Sequence, residues 1–218
     1  MIRCDDVFVD SDVNQFARIC QIIRQYGFDH LIGITPFGEG KKLWTKHFFP
    51  LWKMHFLTRY GFFINYRLKR MTGEKYIGDN KQLLRILDSE FNKYAAIPAL
   101  HGLHHYKYDN MSPNKVYEEL SVGVKSLKEL FDVRVKIFIP PFNAWNHNTE
   151  LVCKSLNLSI DKCNQAFDKL IINMTSPQIK QLAKQQSSVP EVRYHPQRIL
   201  NLEKFELYLK TRRKYCEF

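Results

Sequence analysis

Residues 2–35, IRCDDVFVDSDVNQFARICQIIRQYGFDHLIGIT, decide the fold class of this chain. The pattern of apolar residues predicts a strand over 2–9, then a helix that Ser11 caps and Gly27 ends, and then a second strand over 30–35. A strand, a helix and a strand in this order favour a parallel pair with a right-handed crossover. The chain therefore begins as an α/β fold.

The same alternation continues to the last residues. Apolar periodicity predicts further helices at about 80–94, 112–131, 149–156, 176–184 and 202–214, and further strands at 95–100, 133–139, 158–161, 170–173 and 192–195. Alternating strands and helices of these lengths predict a distorted or incomplete (β/α) barrel. We expect a single domain over residues 1–218, with an insertion at about 37–79.

The insertion differs from the rest of the chain in composition. Between Lys41 and Tyr76 there are nine basic residues, ten aromatic residues and one acid, Glu74. We interpret this segment as part of the barrel rim. Three roles stay open for it: packing onto the core, covering a substrate, or contacting anionic lipid headgroups.

Size and charge limit the classes of protein. The chain has 218 residues, a formal net charge of +11 and a pI of about 9.4, which favours anionic partners. Its five cysteines are scattered and form no CxxC pair, which is typical of reduced thiols. With neither a signal peptide nor a membrane-spanning stretch in the sequence, we predict a cytoplasmic protein that could contact the inner membrane face peripherally.

Chemically active side chains follow several predicted strands. His101 and His105 come after the strand at 95–100, and Asp6 lies at the end of the first strand. Because the functional groups of (β/α) barrels gather at the carboxyl ends of strands, these side chains should meet. Two histidines and a carboxylate suit one divalent metal, with zinc the expected ion.

Acid–base groups are predicted beside this metal site. Asp5, next to Asp6, would be free to take a proton from water, and His195 at the end of the last strand could donate one. His104 is expected to face away from the metal and to pack or form a hydrogen bond.

The order of these motifs resembles the NodB-like polysaccharide deacetylases. The resemblance implies that Asp5 is the base and His195 the acid, and that Asp6, His101 and His105 bind the metal. It also implies that the segment Phe138-Ile139-Pro140-Pro141-Phe142 lines the substrate groove, with a backbone N–H near the oxyanion. The expected substrate contacts are Pro141, Phe142, Asn143 and Trp145.

Three features depart from that family's pattern. Gly102 stands where the family has Ser or Thr, and Ile139 stands where it has the arginine that orients the base. Asp161 is the only candidate we find for the aspartate that usually supports the late histidine. These departures favour an atypical intracellular branch, similar to members found among surface-polysaccharide (O-antigen) genes.

The resemblance implies a zinc-dependent hydrolase that removes an acetyl group, with N-acetyl expected, from a carbohydrate. An anionic nucleotide-sugar or a lipid-linked glycan would suit the charge. An inactive deacetylase-like glycan-binding protein and an amide hydrolase acting on a non-sugar substrate stay open as alternatives. We do not expect nucleic acid as a partner, and the sequence does not indicate an oligomeric state.

Overall fold

The computed structural model describes residues 1–38, 75–163 and 165–216. Most of the insertion predicted at 37–79 therefore lies outside the described residues, and its three candidate roles stay predictions. At its edges, Phe37 and Tyr76 form an antiparallel bridge.

Strands and helices alternate along the described residues. The strands are β1 Ile2–Val7, β2 His30–Ile34, β3 Ile97–Leu100, β4 Ile137–Phe138, β5 Ser159–Ile160 and β6 Val192–Tyr194. The α-helices are α1 Val13–Gln25, α2 Lys81–Asn92, α3 Pro113–Phe131, α4 His147–Ser155, α5 Asp168–Ile171, α6 Ser176–Gln185 and α7 Leu202–Tyr215.

The strands form one parallel sheet in the order β5-β4-β3-β2-β1-β6. In a flat sheet, β1 and β5 would lie about 19 Å apart, since neighbouring strands are spaced by about 4.8 Å. Yet Arg3 on β1 reaches Asp161, just after β5, at 3.1 Å. The sheet is therefore curled into an incomplete barrel, and this confirms the predicted fold class.

Most helix ends follow the predicted signals, with one correction. Ser112 caps α3 just before Pro113, and Gly27 follows α1 with a left-handed φ of 65°. The side chain that caps α1 is Asp12, which accepts from the N–H of Gln15, and not the predicted Ser11. Two capping residues stand side by side there, so the local pattern could not separate them.

The strand predicted at 170–173 is wrong, because these residues overlap helix α5. Phe167 and Ile171, four positions apart, are both buried, as a helical period requires. The ring of Phe167 stacks on Tyr208 of α7 at 4.1 Å. Packing against α7 thus outweighs the short apolar run that favoured a strand.

The two faces of the sheet have different contents. Ile2 and Cys4 of β1 belong to the large apolar core that also includes α1. On the inner face, Leu31, Ala99 and Ile139 form a separate small cluster. Because alternate residues of a strand share a face, the interior also receives charged side chains from β1, and these form the site.

Candidate active site and metal centre

Three side chains from two strand ends converge at the carboxyl edge of the sheet. Nε2 of His101 lies 2.9 Å from Oδ1 of Asp6, and Nε2 of His105 lies 3.0 Å from the same oxygen. His101 is buried, whereas the side chain of His105 is 16% exposed. We call Asp6, His101 and His105 the carboxyl-end cluster.

The donor set of this cluster fits a divalent metal. Nδ1 of His101 lies 2.9 Å from the carbonyl oxygen of Ile139, which fixes the ring and leaves Nε2 directed at Asp6. Burial alone would raise the pKa of Asp6, but the hydrogen bonds from His101 and His105 outweigh it and hold that pKa well below its usual range. The cluster thus offers one carboxylate and two imidazoles whose ligand atoms lie close together.

An irregular backbone brings Asp5 and Asp6 to one site. Consecutive residues of a regular strand point to opposite faces. Asp6, however, has a left-handed φ of 62°, and the pairing of β1 with β2 shifts register between Cys4 and Val7. This bulge lets Asp5 face the barrel interior while Asp6 turns to the histidines.

The loop after β3 needs glycine at position 102. Gly102 has a φ of 79°, and a Cβ placed there would lie 2.4 Å from the carbonyl oxygen of His104. The serine or threonine of the family pattern therefore does not fit this loop. Instead, the Thr35 hydroxyl donates to the carbonyl of His101 at 2.9 Å, and the N–H of Phe37 donates to that of Leu103.

Asp5 is bound by an arginine, although Ile139 stands where the family has the arginine that orients the base. Nε of Arg3 donates to Oδ1 of Asp5 at 2.7 Å, and Nη2 donates to Oδ2 at 2.9 Å. Arg3 is fully buried, and Nη1 of Arg193 lies 3.4 Å from Oδ2 of Asp5. A bidentate arginine–carboxylate pair fixes both the position and the plane of the carboxylate.

Asp161 binds Arg3, so its predicted role as partner of His195 is wrong. Oδ1 of Asp161 lies 3.1 Å from Nη1 of Arg3, and Oε1 of Glu191 lies 3.8 Å from the same nitrogen. Burial, together with a hydrogen bond to Asp161, raises the pKa of Glu191 to about 7. Arg3 therefore lies among three carboxyl groups, of which Asp5 makes the bidentate contact.

The aspartate that supports His195 is Asp168. Nδ1 of His195 lies 2.6 Å from Oδ2 of Asp168, and the backbone N–H of His195 donates to the same oxygen at 3.0 Å. Asp168 is fully buried at the first turn of α5. With Nδ1 held in this way, Nε2 faces the carboxyl-end cluster, 3.8 Å from Oδ2 of Asp6.

The predicted substrate residues lie in the loop after β4. Phe142 is 58% exposed, and its ring centroid lies 4.4 Å from that of His105. Pro141 is buried beside Gly102, and Asn143 follows Phe142 in the same 3-10 turn. Trp145 donates through Nε1 to Glu150 at 3.3 Å. Among the described contacts, only Phe142 of this set touches a side chain of the carboxyl-end cluster.

His104 behaves as predicted. Its Nδ1 lies 2.9 Å from Oε2 of the buried Glu119, on α3, and it takes no part in the carboxyl-end cluster.

Sequence reasoning missed Arg3, Asp168 and Gln197, whose Nε2 donates to Oδ2 of Asp6 at 3.1 Å. The Arg3–Asp5 spacing of two in a strand places both side chains on one face, so that pair could have been found. Asp168 begins the four-residue helix α5 and Gln197 lies in a three-residue 3-10 helix, and both segments are too short to show a clear periodic signal.

A family model described as polysaccharide deacetylase matches residues 33–160, which is more than half of the chain. The chain belongs to the polysaccharide deacetylase family. The matched range contains His101, His105 and the loop after β4, while Asp5, Asp6 and His195 lie outside it. No curated protein matches the sequence significantly.

Solved structures of carbohydrate esterase family 4 have the same fold at low identity. A family 4 pseudoenzyme from Bacillus anthracis has 10% identity and a TM-score of 0.61, over 98% of this chain and 60% of that chain. A family 4 esterase from Streptomyces lividans, in complex with acetate, has 15% identity and a TM-score of 0.63, over 96% of this chain and 85% of that chain. A chitin deacetylase from the fungus Colletotrichum lindemuthianum has 10% identity and a TM-score of 0.61, over 97% of this chain and 80% of that chain.

The chain thus spans about three fifths of the length of the Bacillus anthracis protein. In the described part of the chain, no helix is long and apolar enough to cross a membrane.

Proposed function

We propose that this protein is a metal-dependent hydrolase that removes an acetyl group, with N-acetyl expected, from a carbohydrate. One observation carries the proposal: Arg3 donates two hydrogen bonds to Asp5, which directly precedes Asp6 of the carboxyl-end cluster. Family membership supports the reaction class. The predicted single catalytic domain is part of this proposal.

Asp6, His101 and His105 would hold the cation, and zinc suits two imidazoles and one carboxylate. A divalent cation supplies Lewis-acid polarisation of a carbonyl and makes a nearby water more acidic. Gln197 and the carbonyl of Ile139 orient Asp6 and His101, so the ligands would need little rearrangement.

Asp5 would act as the general base. Arg3 holds both carboxylate oxygens from the interior, and this fixes the carboxylate relative to Asp6. As the water oxygen attacks the acetyl carbon, Asp5 accepts the proton that the water loses. The family has an arginine that orients the base where this chain has Ile139. Arg3, two positions before the base, would thus take over the function of that arginine.

His195 would act as the general acid. With Nδ1–H donated to Asp168, the ring can carry a second proton on Nε2, and the buried carboxylate stabilises that imidazolium. Nε2 gives its proton to the leaving nitrogen as the carbon–nitrogen bond breaks. The products are acetate and the free amine of the sugar.

The site entrance favours an anionic sugar. The exposed ring of Phe142 offers a face for a sugar, and Nζ of Lys107 lies 5.9 Å from its centroid. Nζ of Lys162, near Trp145, pairs with Glu150 at 3.0 Å and so does not add to this preference. Together with the net charge of +11, the Phe142–Lys107 pair supports a nucleotide-sugar or a lipid-linked glycan in surface-polysaccharide synthesis, at a cytoplasmic location that includes the inner membrane face.

The test is acetate release by protein stripped of metal and then reloaded with zinc. Substrates would be N-acetylated nucleotide-sugars and neutral N-acetylated oligosaccharides. We expect release only after reloading, and faster release from the anionic substrates. Asp6→Ala should bind no metal at this site and release no acetate. Equal release by Asp6→Ala and wild type would contradict the proposal.

A glycan-binding protein without turnover is the second candidate. The Ile139 replacement and the pseudoenzyme of the same fold favour it. It predicts that zinc-loaded protein binds the glycan in calorimetry and releases no acetate from any substrate of the panel.

A further inference from the structure

A second cluster of metal-ligating side chains lies at the opposite end of the sheet. Cys20 on α1, His30 at the first residue of β2 and Glu90 on α2 each offer a ligand atom, and these atoms all lie within 4.8 Å of one another. The three residues are 1%, 4% and 3% exposed. We call them the amino-end cluster. None of them takes part in the proposed reaction.

The imidazole of His30 is held on one side and open on the other. Nε2 lies 3.0 Å from the Tyr194 hydroxyl, and the two rings stack at 6.1 Å. Nδ1 is buried and has no hydrogen-bond partner among the described residues. A buried ring that is fixed through one nitrogen and open at the other is arranged as a metal-ligating imidazole is.

The carboxylate of Glu90 likewise has one paired oxygen and one oxygen without a partner among the described residues. Oε1 pairs with Nη1 of Arg24, whose guanidinium lies 4.0 Å above the centroid of the Tyr94 ring. Oε2 is buried and, in the described part of the chain, has no hydrogen-bond partner. A buried carboxylate oxygen without a partner is unfavourable because it has lost its hydration, and a bound cation would remove that cost.

Cys20 completes the set with a sulfur atom. Its side chain is buried near Glu90 and forms no disulfide bond with any described residue. One thiolate, one imidazole and one carboxylate are donors that zinc and cobalt accept together, whereas calcium and magnesium select oxygen.

We propose that Cys20, His30 and Glu90 bind a second divalent transition metal, with zinc the expected ion. On binding, the thiol of Cys20 releases its proton to solvent, and the thiolate, the imidazole and the carboxylate coordinate the ion. The ion would join α1, β2 and α2 at the amino end of the sheet. We expect a structural role, because the three ligands are buried and, among the described residues, no catalytic acid–base pair of the proposed reaction lies beside them.

Cobalt distinguishes this site from the carboxyl-end cluster, because only a thiolate ligand gives cobalt(II) an intense sulfur-to-metal absorption in the near ultraviolet. The full-length protein is stripped of metal under reducing conditions, titrated with cobalt(II), and followed by absorbance and metal analysis. We expect two equivalents of cobalt and the near-ultraviolet band. One equivalent without that band in wild-type protein would overturn the proposal, whatever the variants do.

Three variants assign the signals. Cys20→Ser should lose the band and one equivalent, whereas His101→Ala should lose one equivalent and keep the band. Cys153→Ser, which replaces another buried cysteine outside both clusters, should change neither. A band that survives in Cys20→Ser, or that disappears in Cys153→Ser, would overturn the assignment. If Cys20→Ser does not fold, His30→Gln should lose the second equivalent, and a retained one would contradict the proposal.

This inference does not depend on the proposed function. A protein that releases no acetate can still show both equivalents, and an active deacetylase can show only one.

Discussion

The carboxyl-end cluster and the amino-end cluster both contain a histidine and a carboxylate, yet their surroundings differ. At the carboxyl end, the side chain of His105 is 16% exposed, Nε2 of His195 lies 3.8 Å from Oδ2 of Asp6, and Asp5 directly precedes Asp6 on β1. At the amino end, every ligand is at most 4% exposed, and the neighbouring groups are Arg24 and Tyr194, each of which fixes one ligand. Ligand types alone therefore do not separate a reactive centre from a structural one; access and the adjacent proton donors and acceptors do.

The largest expected difference between the clusters follows from His101→Ala. Losing this ligand should remove the metal at the carboxyl end and slow acetate release by about a thousandfold or more, since the cation is worth several kcal/mol of transition-state stabilisation. Cys20→Ser is the matched variant at the other end and should keep release within about twofold of wild type. Metal analysis and acetate release in both variants test this. Equal losses of activity would show that the clusters are not functionally distinct.

A smaller effect is expected when the support of the general acid is removed. Asp168→Asn should slow acetate release by about a hundredfold, because general acid–base groups contribute about 10²–10⁴. Metal binding at both clusters should be unchanged. His104→Gln, at another buried histidine with a carboxylate partner, is the control and should keep activity. Loss of metal from Asp168→Asn would mean that this aspartate supports the ligands and not the acid.

Arg3→Lys tests whether the two hydrogen bonds from Arg3 to Asp5 take the place of those made by the family's arginine. Lysine keeps the buried charge but cannot make both hydrogen bonds to Asp5. We expect kcat to fall by about tenfold to a hundredfold with KM nearly unchanged, since a misplaced base affects the transition state. Arg193→Lys, which replaces a single contact at 3.4 Å, should have a smaller effect. A change in KM alone would assign Arg3 to substrate binding.

The smallest expected effect is a pH dependence of stability caused by Glu191, whose carboxyl group lies near Arg3. The pKa of Glu191 is raised to about 7 from 4.5 in the unfolded chain, so its contribution to stability is complete below pH 4.5 and disappears as the pH rises through 7. Relative to wild type, Glu191→Gln should therefore gain about 1–2 kcal/mol in unfolding free energy between pH 5 and pH 8, after allowance for partial solvent screening. Denaturant unfolding at the two pH values measures this, with Glu118→Gln on the exposed face of α3 as control. A gain that is equal at both pH values would contradict the shifted pKa.

Much of the fold and the residues of the carboxyl-end cluster could be predicted from the sequence. Helical and strand periods gave the parallel α/β architecture, and strand ends placed Asp6, His101 and His105 at one edge. The amino-end cluster was not predicted, because Cys20, His30 and Glu90 belong to three separate elements that meet only when the helices pack on the sheet.

The partner residues of the site were the least predictable. Asp161 was the only candidate named as partner of His195, whereas the curled sheet brings it to Arg3. Asp168 lies just before the strand predicted at 170–173, and packing on α7 makes this region helical. Such pairings depend on curvature and helix packing, which local sequence does not encode.

Asp5→Asn tests the central claim most directly, with bound metal and acetate release measured on the same sample. Asparagine cannot accept the proton, but the ligands Asp6, His101 and His105 stay in place. The account predicts the metal content of wild type and acetate release at least about a hundredfold slower. Acetate release near the wild-type rate from a fully metal-loaded Asp5→Asn protein would contradict it.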